Sequence, residues 1–324
     1  MWNERIAGRR SERMTSRDFN AGEAPPGIGP RSLDTSRSAL RAILVRETAT
    51  IVPGVANALT ARLAAQAGFE CCFVTGAGVA NTQFGLPDVG LISMTEVDYE
   101  ATRIIDAVDL PVIVDADTGY GGPLSVMRTV HTFERSGAAA IQIEDQVSPK
   151  RCGHFDGQTL VDVEEMVAKI HAARHARSDP ELVIIARTDA CAVEGLDQAL
   201  ARASRYVDAG ADAIFVEAPQ TLEELCRIPT ELPDVPIIVN VVEGGKTPQL
   251  PADELEALGY RIVLHANLLL RVTVRAAQSA LSYLHENRET AGLTDRMITW
   301  EERQRLVNLK AFDDLEYDLR QGVT

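Results

Sequence analysis

The sequence has little of several features that mark particular classes of protein. Aromatic residues make up 5% of the 324 residues, and the five cysteines form no CxxC pair. A zinc ribbon or a dithiol redox centre is therefore not indicated, because both use closely spaced cysteine pairs. Cysteines at such irregular spacings are typical of proteins from a reducing compartment, which predicts a cytoplasmic location.

Positive charge and long apolar runs are also scarce. The chain has 32 Lys and Arg against 47 Asp and Glu, which gives a net charge of −15. Binding to nucleic acid is not expected, because it requires clustered positive charge. No run of about 18 apolar residues is present, so no membrane span is predicted. The Arg-rich N-terminus lacks the apolar stretch of a secretory signal. We therefore expect neither nucleic acid nor a membrane as a partner.

Short runs rich in Val and Ile alternate with amphipathic segments from residue 50 onward. Eight runs read as strands: residues 50–56, 71–75, 111–117, 139–145, 182–188, 213–218, 236–242 and 261–266. Eight strands that alternate with helices predict a (β/α)8 TIM barrel of the α/β class. An open doubly wound sheet is the main alternative, but no GxGxxG loop follows the first strand.

The chain ends differ from this central pattern. Residues 1–34 include the stretch GEAPPGIGPRS and are predicted to be a disordered extension. Residues 35–324 are predicted to form one barrel domain. After about residue 290, amphipathic segments whose apolar residues need a partner surface follow the last barrel helix.

Polar residues gather where the predicted strands end. They are Thr75, Asp115, Asp117, Glu144, Asp145, Arg187, Asp189, Glu217, Asn240 and His265. The active sites of TIM barrels lie at the carboxyl ends of the strands. Such a ring of carboxylates with an arginine and an asparagine predicts a site for a divalent cation and an anionic ligand.

Asp115 and Asp117 stand two residues apart in the sequence VDADTGYGG. On an extended strand this spacing directs both side chains to the same face. Two adjacent carboxylates repel each other, and a divalent cation removes that conflict. Oxygen ligands of this kind suit Mg²⁺, with Mn²⁺ as the alternative.

The stretch EDQVSPKRCGHFDG at residues 144–157 places Cys152 on a predicted loop over the barrel mouth. The neighbouring Lys150, Arg151 and His154 would favour the thiolate and lower the pKa of the thiol. A thiol in such a setting serves as a nucleophile or as a general acid, and the spacing alone leaves both roles open.

Four motifs together resemble the isocitrate lyase/phosphoenolpyruvate mutase superfamily. They are IEDQ followed by KRCGH, DADTGYGG, ARTDA and VEGGKTP, and the resemblance covers roughly residues 40–320. It implies a Mg²⁺-dependent enzyme that cleaves a carbon–carbon bond of a hydroxy carboxylate and releases a keto acid. It also implies that a C-terminal helix is swapped between neighbouring subunits of a homotetramer.

The resemblance further implies roles for individual residues. Asp115, Asp117 and Asp88 would hold the metal, mostly through water, with Glu144 as an outer partner. Cys152 would be the acid on a mobile loop, and Lys150 and His154 would complete the catalytic group. The residues that would bind substrate are Thr75, Gly76, Ala77, Gly153, Arg187, Glu217, Asn240 and Arg271.

The motifs leave the branch of the superfamily open. ARTDACAVEGLD resembles 2-methylisocitrate lyases, whereas HFDGQ and VEGGKTP resemble the dimethylmalate lyase and mutase branches. An oxaloacetate hydrolase, a carboxyphosphonoenolpyruvate mutase and an inactive binding barrel are the alternatives. The segment HANLL after the eighth strand departs from many relatives, so the substrate contacts near His265 and Asn267 stay open.

Overall fold

The computed structural model describes residues 33–151, 153 and 157–322. Most of the predicted N-terminal extension, residues 1–32, lies outside this part of the chain. Helix α1 covers Leu33–Leu44, so the last two residues assigned to the extension are helical.

Eight parallel strands form a closed barrel in the order β1 to β8. Their bounds are β1 Thr50–Val55, β2 Cys72–Val74, β3 Val112–Asp115, β4 Ala140–Glu144, β5 Val183–Thr188, β6 Ala213–Val216, β7 Ile237–Asn240 and β8 Ile262–His265. The barrel closes because β1 pairs with β8, with Thr50 opposite Ile262. This pairing confirms the predicted TIM barrel and rules out the open doubly wound sheet.

Helices surround the barrel. After α1 they are α2 Ala58–Gln66, α3 Gly76–Val79, α4 Met94–Ala107, α5 Pro123–Ser136, α6 Val163–Ala176, α7 Ala190–Glu194, α8 Leu196–Asp208, α9 Leu222–Glu231, α10 Ala252–Leu258, α11 Leu268–Asn287, α12 Trp300–Leu306 and α13 Leu309–Gln321. A π-helix spans Ala80–Phe84, and a 3-10 helix spans Ala291–Arg296. Gly137 and Gly259 end α5 and α10 with φ of 95° and 109°, a left-handed conformation that glycine adopts without a steric penalty.

The core has two layers, one inside the barrel and one between the strands and the outer helices. Helix α1 contributes Leu40 and Ile43 to the inner layer, at the end of the barrel where the strands begin. Arg37 fixes this helix by donating hydrogen bonds to Ala138 O at 3.1 Å and Asp179 Oδ2 at 2.6 Å. Because α1 seals this end, the opposite end of the barrel is left for a binding site.

The C-terminal helices beyond residue 290 are present as predicted. Helix α11 has no buried residue along its length, and Leu281 on it is 66% exposed. Trp300 at the start of α12 is 74% exposed. The subunit swap and the tetramer stay predictions. Among the described residues, none of the helices has the length and apolar character needed to cross a membrane.

Candidate active site

A cavity opens at the carboxyl ends of the strands, where the sequence predicted the site. The side chains and backbone that line it are Phe73, Thr75, Ala77, Asp88, Asp115, Lys150, Gly153, Arg187, Phe215, Glu217, Asn240, Leu264, Ala266 and Asn267. Nine of the predicted site residues therefore line this one cavity.

Asp115 and Asp117 converge on this cavity, but not for the reason that the sequence suggested. Strand β3 ends at Asp115, and Asp117 lies beyond it in the left-handed conformation with φ of 47°. The prediction that both occupy one face of an extended strand is wrong. They meet because the chain turns: a methyl group added to Gly76 would lie 3.2 Å from Asp115 Oδ2 and 3.4 Å from Asp117 Oδ1.

Lys150 extends from the loop after β4 into this acidic cluster. Its ammonium group lies 3.0 Å from Asp117 Oδ1 and forms a second ion pair with Asp88. Burial alone would lower the pKa of Lys150, but the surrounding carboxylates raise it well above its usual value. Burial also raises the pKa of Asp117 to about 6, although Lys150 opposes that shift. Lys150 therefore remains a fixed positive charge at neutral pH.

Arg187 is the second cation of the cavity, and three carboxylates surround it. Its Nε and Nη2 lie 3.0 and 2.8 Å from the two oxygens of Asp189, a bidentate pair. Its Nη1 lies 3.1 Å from Glu217 Oε2, and its Nε lies 3.4 Å from Glu144 Oε2. Burial would lower the pKa of Arg187, yet these carboxylates raise it, so the guanidinium stays charged. Its plane is fixed before any substrate arrives.

Asp189 and Asp145 support Arg187 and were not among the predicted site residues. The fully buried Asp145 accepts a hydrogen bond from the backbone N–H of Asp189 at 3.0 Å and from Thr188 Oγ1 at 2.7 Å. Tyr206 donates to the same carboxylate at 2.8 Å. Both aspartates belong to the strand-end ring that the sequence singled out, so the signal was present, but it did not show that they act on the arginine.

Glu144 is buried at the end of β4, between the two cations. Its Oε1 has no hydrogen-bond partner in the described structure, while Oε2 faces Arg187. Burial raises the pKa of Glu144 well above its usual value, and Arg187 only partly offsets this. Burial thus disfavours the charged form of Glu144, while the nearby guanidinium favours it.

The loop after β4 closes over Arg187. Gly153 lies so close that an added Cβ would be 2.5 Å from Arg187 Nη2 and 2.7 Å from Asp189 Oδ1. Gln158 donates to Gly153 O at 3.0 Å, and Gln146 forms two hydrogen bonds with the backbone of Arg151, at 2.8 and 2.9 Å. These contacts hold the loop at the mouth. Cys152 and His154, the other residues predicted on this loop, lie outside the described residues.

The segment after β2 brings backbone close to the acidic cluster. Thr75 caps α3 by accepting a hydrogen bond from Gly78 N at 3.2 Å, which turns Gly76 and Ala77 toward the cavity. Gly76 leaves the space above the aspartates free, since any side chain would enter it. Thr75 and Ala77 thus line the cavity and Gly76 lies beside the two aspartates, while their contacts with substrate stay a prediction.

Asn240 and Asn267 form the opposite wall. The Oδ1 atoms of both are shielded from solvent and have no hydrogen-bond partner in the described structure. Arg271, predicted to bind substrate, is not among the lining residues: its side chain is 55% exposed and lies 3.5 Å from Glu243 Oε2. Asn267 therefore lies beside the cavity, and the role of Arg271 in substrate binding stays a prediction.

The acidic cluster suits a magnesium ion held largely through water. Within the described part of the chain, no group of three acidic, cysteine or histidine side chains is arranged to hold a metal directly. The oxygens of Asp115 and Asp117 nevertheless face one point above Gly76, and Asp88 is linked to Asp117 by Lys150. Mg²⁺ commonly binds through one or two carboxylates and keeps several waters, which this arrangement allows.

Comparison with known proteins places this site in a family. The sequence profile of phosphoenolpyruvate phosphomutase matches residues 40–285. The chain belongs to this family. The resemblance to the isocitrate lyase/phosphoenolpyruvate mutase superfamily is thereby confirmed.

Relatives in the family carry related enzyme names. The 2,3-dimethylmalate lyase of Eubacterium barkeri is 42% identical over 87% of this chain and 98% of its own. The 2-methylisocitrate lyase of Salmonella typhimurium is 41% identical over 87% of this chain and 96% of its own. A solved structure of phosphonopyruvate hydrolase with oxalate and Mg²⁺ has a TM-score of 0.80 and 30% identity, with 87% of this chain and 98% of that chain covered.

Proposed function

We propose that the protein is a Mg²⁺-dependent carbon–carbon lyase that splits a 2-hydroxy dicarboxylate or tricarboxylate into a keto acid and a second carboxylic acid. One observation carries the proposal: Asp115 of the acidic cluster lines the same cavity as the fixed guanidinium of Arg187 and Gly153 of the loop after β4. The names of the relatives support a carbon–carbon lyase acting on a hydroxy carboxylate.

The side chains divide the work of binding between two cations. Asp115 and Asp117, with Asp88, would hold Mg²⁺, which when bound supplies a Lewis acid beside the substrate oxygens. Arg187, oriented by Asp189 and Glu217, would bind one substrate carboxylate. The backbone at Gly153 packs against Arg187 and would exclude water from the bond that breaks.

The reaction requires two proton movements. Loss of the proton from the C2 hydroxyl allows the C2–C3 bond to break, so that C2 becomes the carbonyl carbon of the keto acid. The electron pair of that bond passes to C3, which is adjacent to a carboxylate, and C3 must then take up a proton. We assign this proton to Cys152, on the same loop as Gly153. Glu144, whose Oε2 lies 3.4 Å from Arg187 Nε, would help to orient the guanidinium, and Lys150 would balance the charge of the aspartates.

A coupled assay tests the proposal. Racemic 2,3-dimethylmalate and 2-methylisocitrate would be incubated with the enzyme and Mg²⁺, and pyruvate release would be followed with lactate dehydrogenase. We expect NADH oxidation with at least one substrate and its loss with EDTA. Failure to release a keto acid from either substrate would contradict the lyase; conversion of a carboxyphosphonoenolpyruvate instead would identify a mutase.

The role of the thiol has its own control. Cys152→Ala should reduce turnover by about 10²-fold or more, the range of a general-acid contribution. It should leave Mg²⁺-dependent binding of oxalate within about twofold, because no charge of the cavity is removed. Cys226→Ala, at an exposed cysteine on α9, is the matched control. If Cys152→Ala retained the wild-type turnover rate, the thiol would have no role in the mechanism.

We also propose that the chain assembles as a homotetramer through the C-terminal helices. The exposed apolar residues of α11 and α12, among them Leu281 and Trp300, support this arrangement because they need a covering surface. Light scattering should give about four times the 35.2 kDa of one chain. A mass of one chain at micromolar concentration would contradict it.

A further inference from the structure

The two sides of the cavity differ in charge. On the side of β3 to β6, the lining includes Asp115, Lys150, Arg187 and Glu217. The lining residues on and directly after β7 and β8 are uncharged: Asn240, Leu264, Ala266 and Asn267. A ligand that spans the cavity therefore has one end among charges and the other among apolar groups and two amides.

The two amides are the unsatisfied polar groups of this uncharged side. Asn240 is 7% exposed, and the Oδ1 atoms of Asn240 and Asn267 are both shielded without a hydrogen-bond partner in the described structure. A shielded polar group without a partner is costly, so a ligand that supplies the partner gains affinity. As an acceptor, the amide would bind a hydroxyl; turned over, it would donate N–H to a single carboxylate oxygen.

The side chain of Asn267 is available for a ligand because it does not cap the helix that it precedes. It occupies the position before α11, yet its side chain makes no capping hydrogen bond. Substitution therefore removes no contact that stabilises the helix.

The arginine closest in sequence to Asn267 is already engaged elsewhere. Arg271 lies 3.5 Å from Glu243 Oε2 and also donates to Glu243 O. Among the described lining residues, an additional carboxylate beside Asn240 and Asn267 would thus lose its hydration and meet amides and apolar side chains, an unfavourable exchange.

We propose that Asn267, together with Asn240, determines specificity by binding one oxygen, a hydroxyl or a single carboxylate oxygen, of a 2-hydroxy dicarboxylate and by excluding substrates with a third carboxylate. The proposal rests on the lyase function and narrows its substrate class. It predicts that the enzyme prefers a dimethylmalate-like compound over a methylisocitrate-like one.

Binding measurements test the proposal separately from turnover. Calorimetry in the presence of Mg²⁺ would compare malate, a 2-hydroxy dicarboxylate, with citrate, a hydroxy tricarboxylate. We expect malate to bind at least about tenfold more tightly, because the third carboxylate lacks a cation. Equal or tighter binding of citrate would overturn the proposal. Failure of malate to bind at all would also overturn it.

Variants at position 267 assign the selectivity to the residue. Asn267→Leu keeps a side chain of similar volume but removes the amide. The affinity for malate should therefore fall about 5- to 100-fold, the loss expected for one hydrogen bond shielded from solvent. Asn267→Arg adds a cation and should shift the malate-to-citrate ratio toward citrate by at least tenfold. Asn287→Leu, at the exposed end of α11, is the matched control and should leave both affinities unchanged.

The outcomes separate the two proposals. Tight malate binding that depends on Asn267, without keto acid release from any substrate, would refute the lyase and leave the dicarboxylate site intact. Pyruvate release with kcat/KM higher for 2-methylisocitrate than for 2,3-dimethylmalate would keep the lyase and refute the dicarboxylate preference. Unchanged binding by Asn267→Leu would show that Asn267 does not contribute.

Discussion

Replacement of Gly153 by alanine probes how closely the loop must approach Arg187. The added Cβ would lie 2.5 Å from Arg187 Nη2, 2.5 Å from Glu217 Cγ and 2.7 Å from Asp189 Oδ1. Comfortable contacts between such atoms begin at about 3.5 Å, so either the loop or the arginine must move by about 1 Å.

The arginine resists this movement. Two hydrogen bonds to Asp189 and an ion pair with Glu217 hold the guanidinium, and Asp145 holds the backbone of Asp189 in turn. The loop is fixed by fewer contacts, so we expect the loop to be displaced. A displacement of about 1 Å in a catalytic group costs about 10²-fold in rate.

The expected result is a fall of about 10²-fold in kcat/KM for Gly153→Ala, measured by keto acid release. Mg²⁺ binding and the thermal midpoint should change little, because the barrel and the acidic cluster are not touched. Gly122→Ala is the matched control: it lies at the mouth, has φ of −75°, and an added Cβ meets nothing within 4 Å. If Gly153→Ala retained the wild-type kcat/KM, the closed loop would have no part in the reaction.

Three further predictions address the cations and the packing of α1. Arg187→Lys cannot form the bidentate pair with Asp189, so kcat/KM should fall about 10²- to 10³-fold; a loss below about fivefold would contradict the role of the guanidinium plane. Mg²⁺ at about 100 times its Kd should stabilise the protein by about 2.7 kcal/mol in thermal unfolding, and Asp115→Asn should abolish most of this gain; an equal shift would place the metal elsewhere. The hydrogen bond from Arg37 lowers the pKa of Asp179 from its usual 3.8, so its contribution is present above that pH and is lost as the pH falls below it. Asp179→Asn should therefore lower the free energy of unfolding by about 1 kcal/mol at pH 7 in urea titrations, and a difference that persisted at pH 2 would refute this linkage.

The barrel could be predicted from the sequence because its signal is local. Apolar runs such as residues 182–188 match β5 within one residue. Helix α1 was not predicted, because its apolar residues Leu40 and Ile43 are buried only by strands that come later in the chain. The predicted N-terminal extension, residues 1–34, therefore overlaps α1 by two residues.

The site shows the same division. Its strand-end residues could be predicted, since parallel strands deliver their carboxyl ends to one mouth. The partnership of Asp115 with Asp117 was predicted from a strand geometry that the chain does not adopt; the left-handed turn at Asp117 brings the carboxylates together instead. Asp189 contacts Arg187 from two residues along the same strand end, whereas Asp145 reaches the backbone of Asp189 from the end of β4. No spacing rule predicts this second contact, because it joins the ends of different strands.

The sequence by itself determined the alternation of strands and helices and the kinds of side chain at the mouth, because both depend on neighbours a few residues away. Only the tertiary structure decided which of those side chains touch. It pairs Arg271 with Glu243 and leaves Asn267 at the cavity, although both stand near the start of one helix. The reason is physical: a side chain's partners are set by the distances between elements after packing, and those distances depend on the whole barrel.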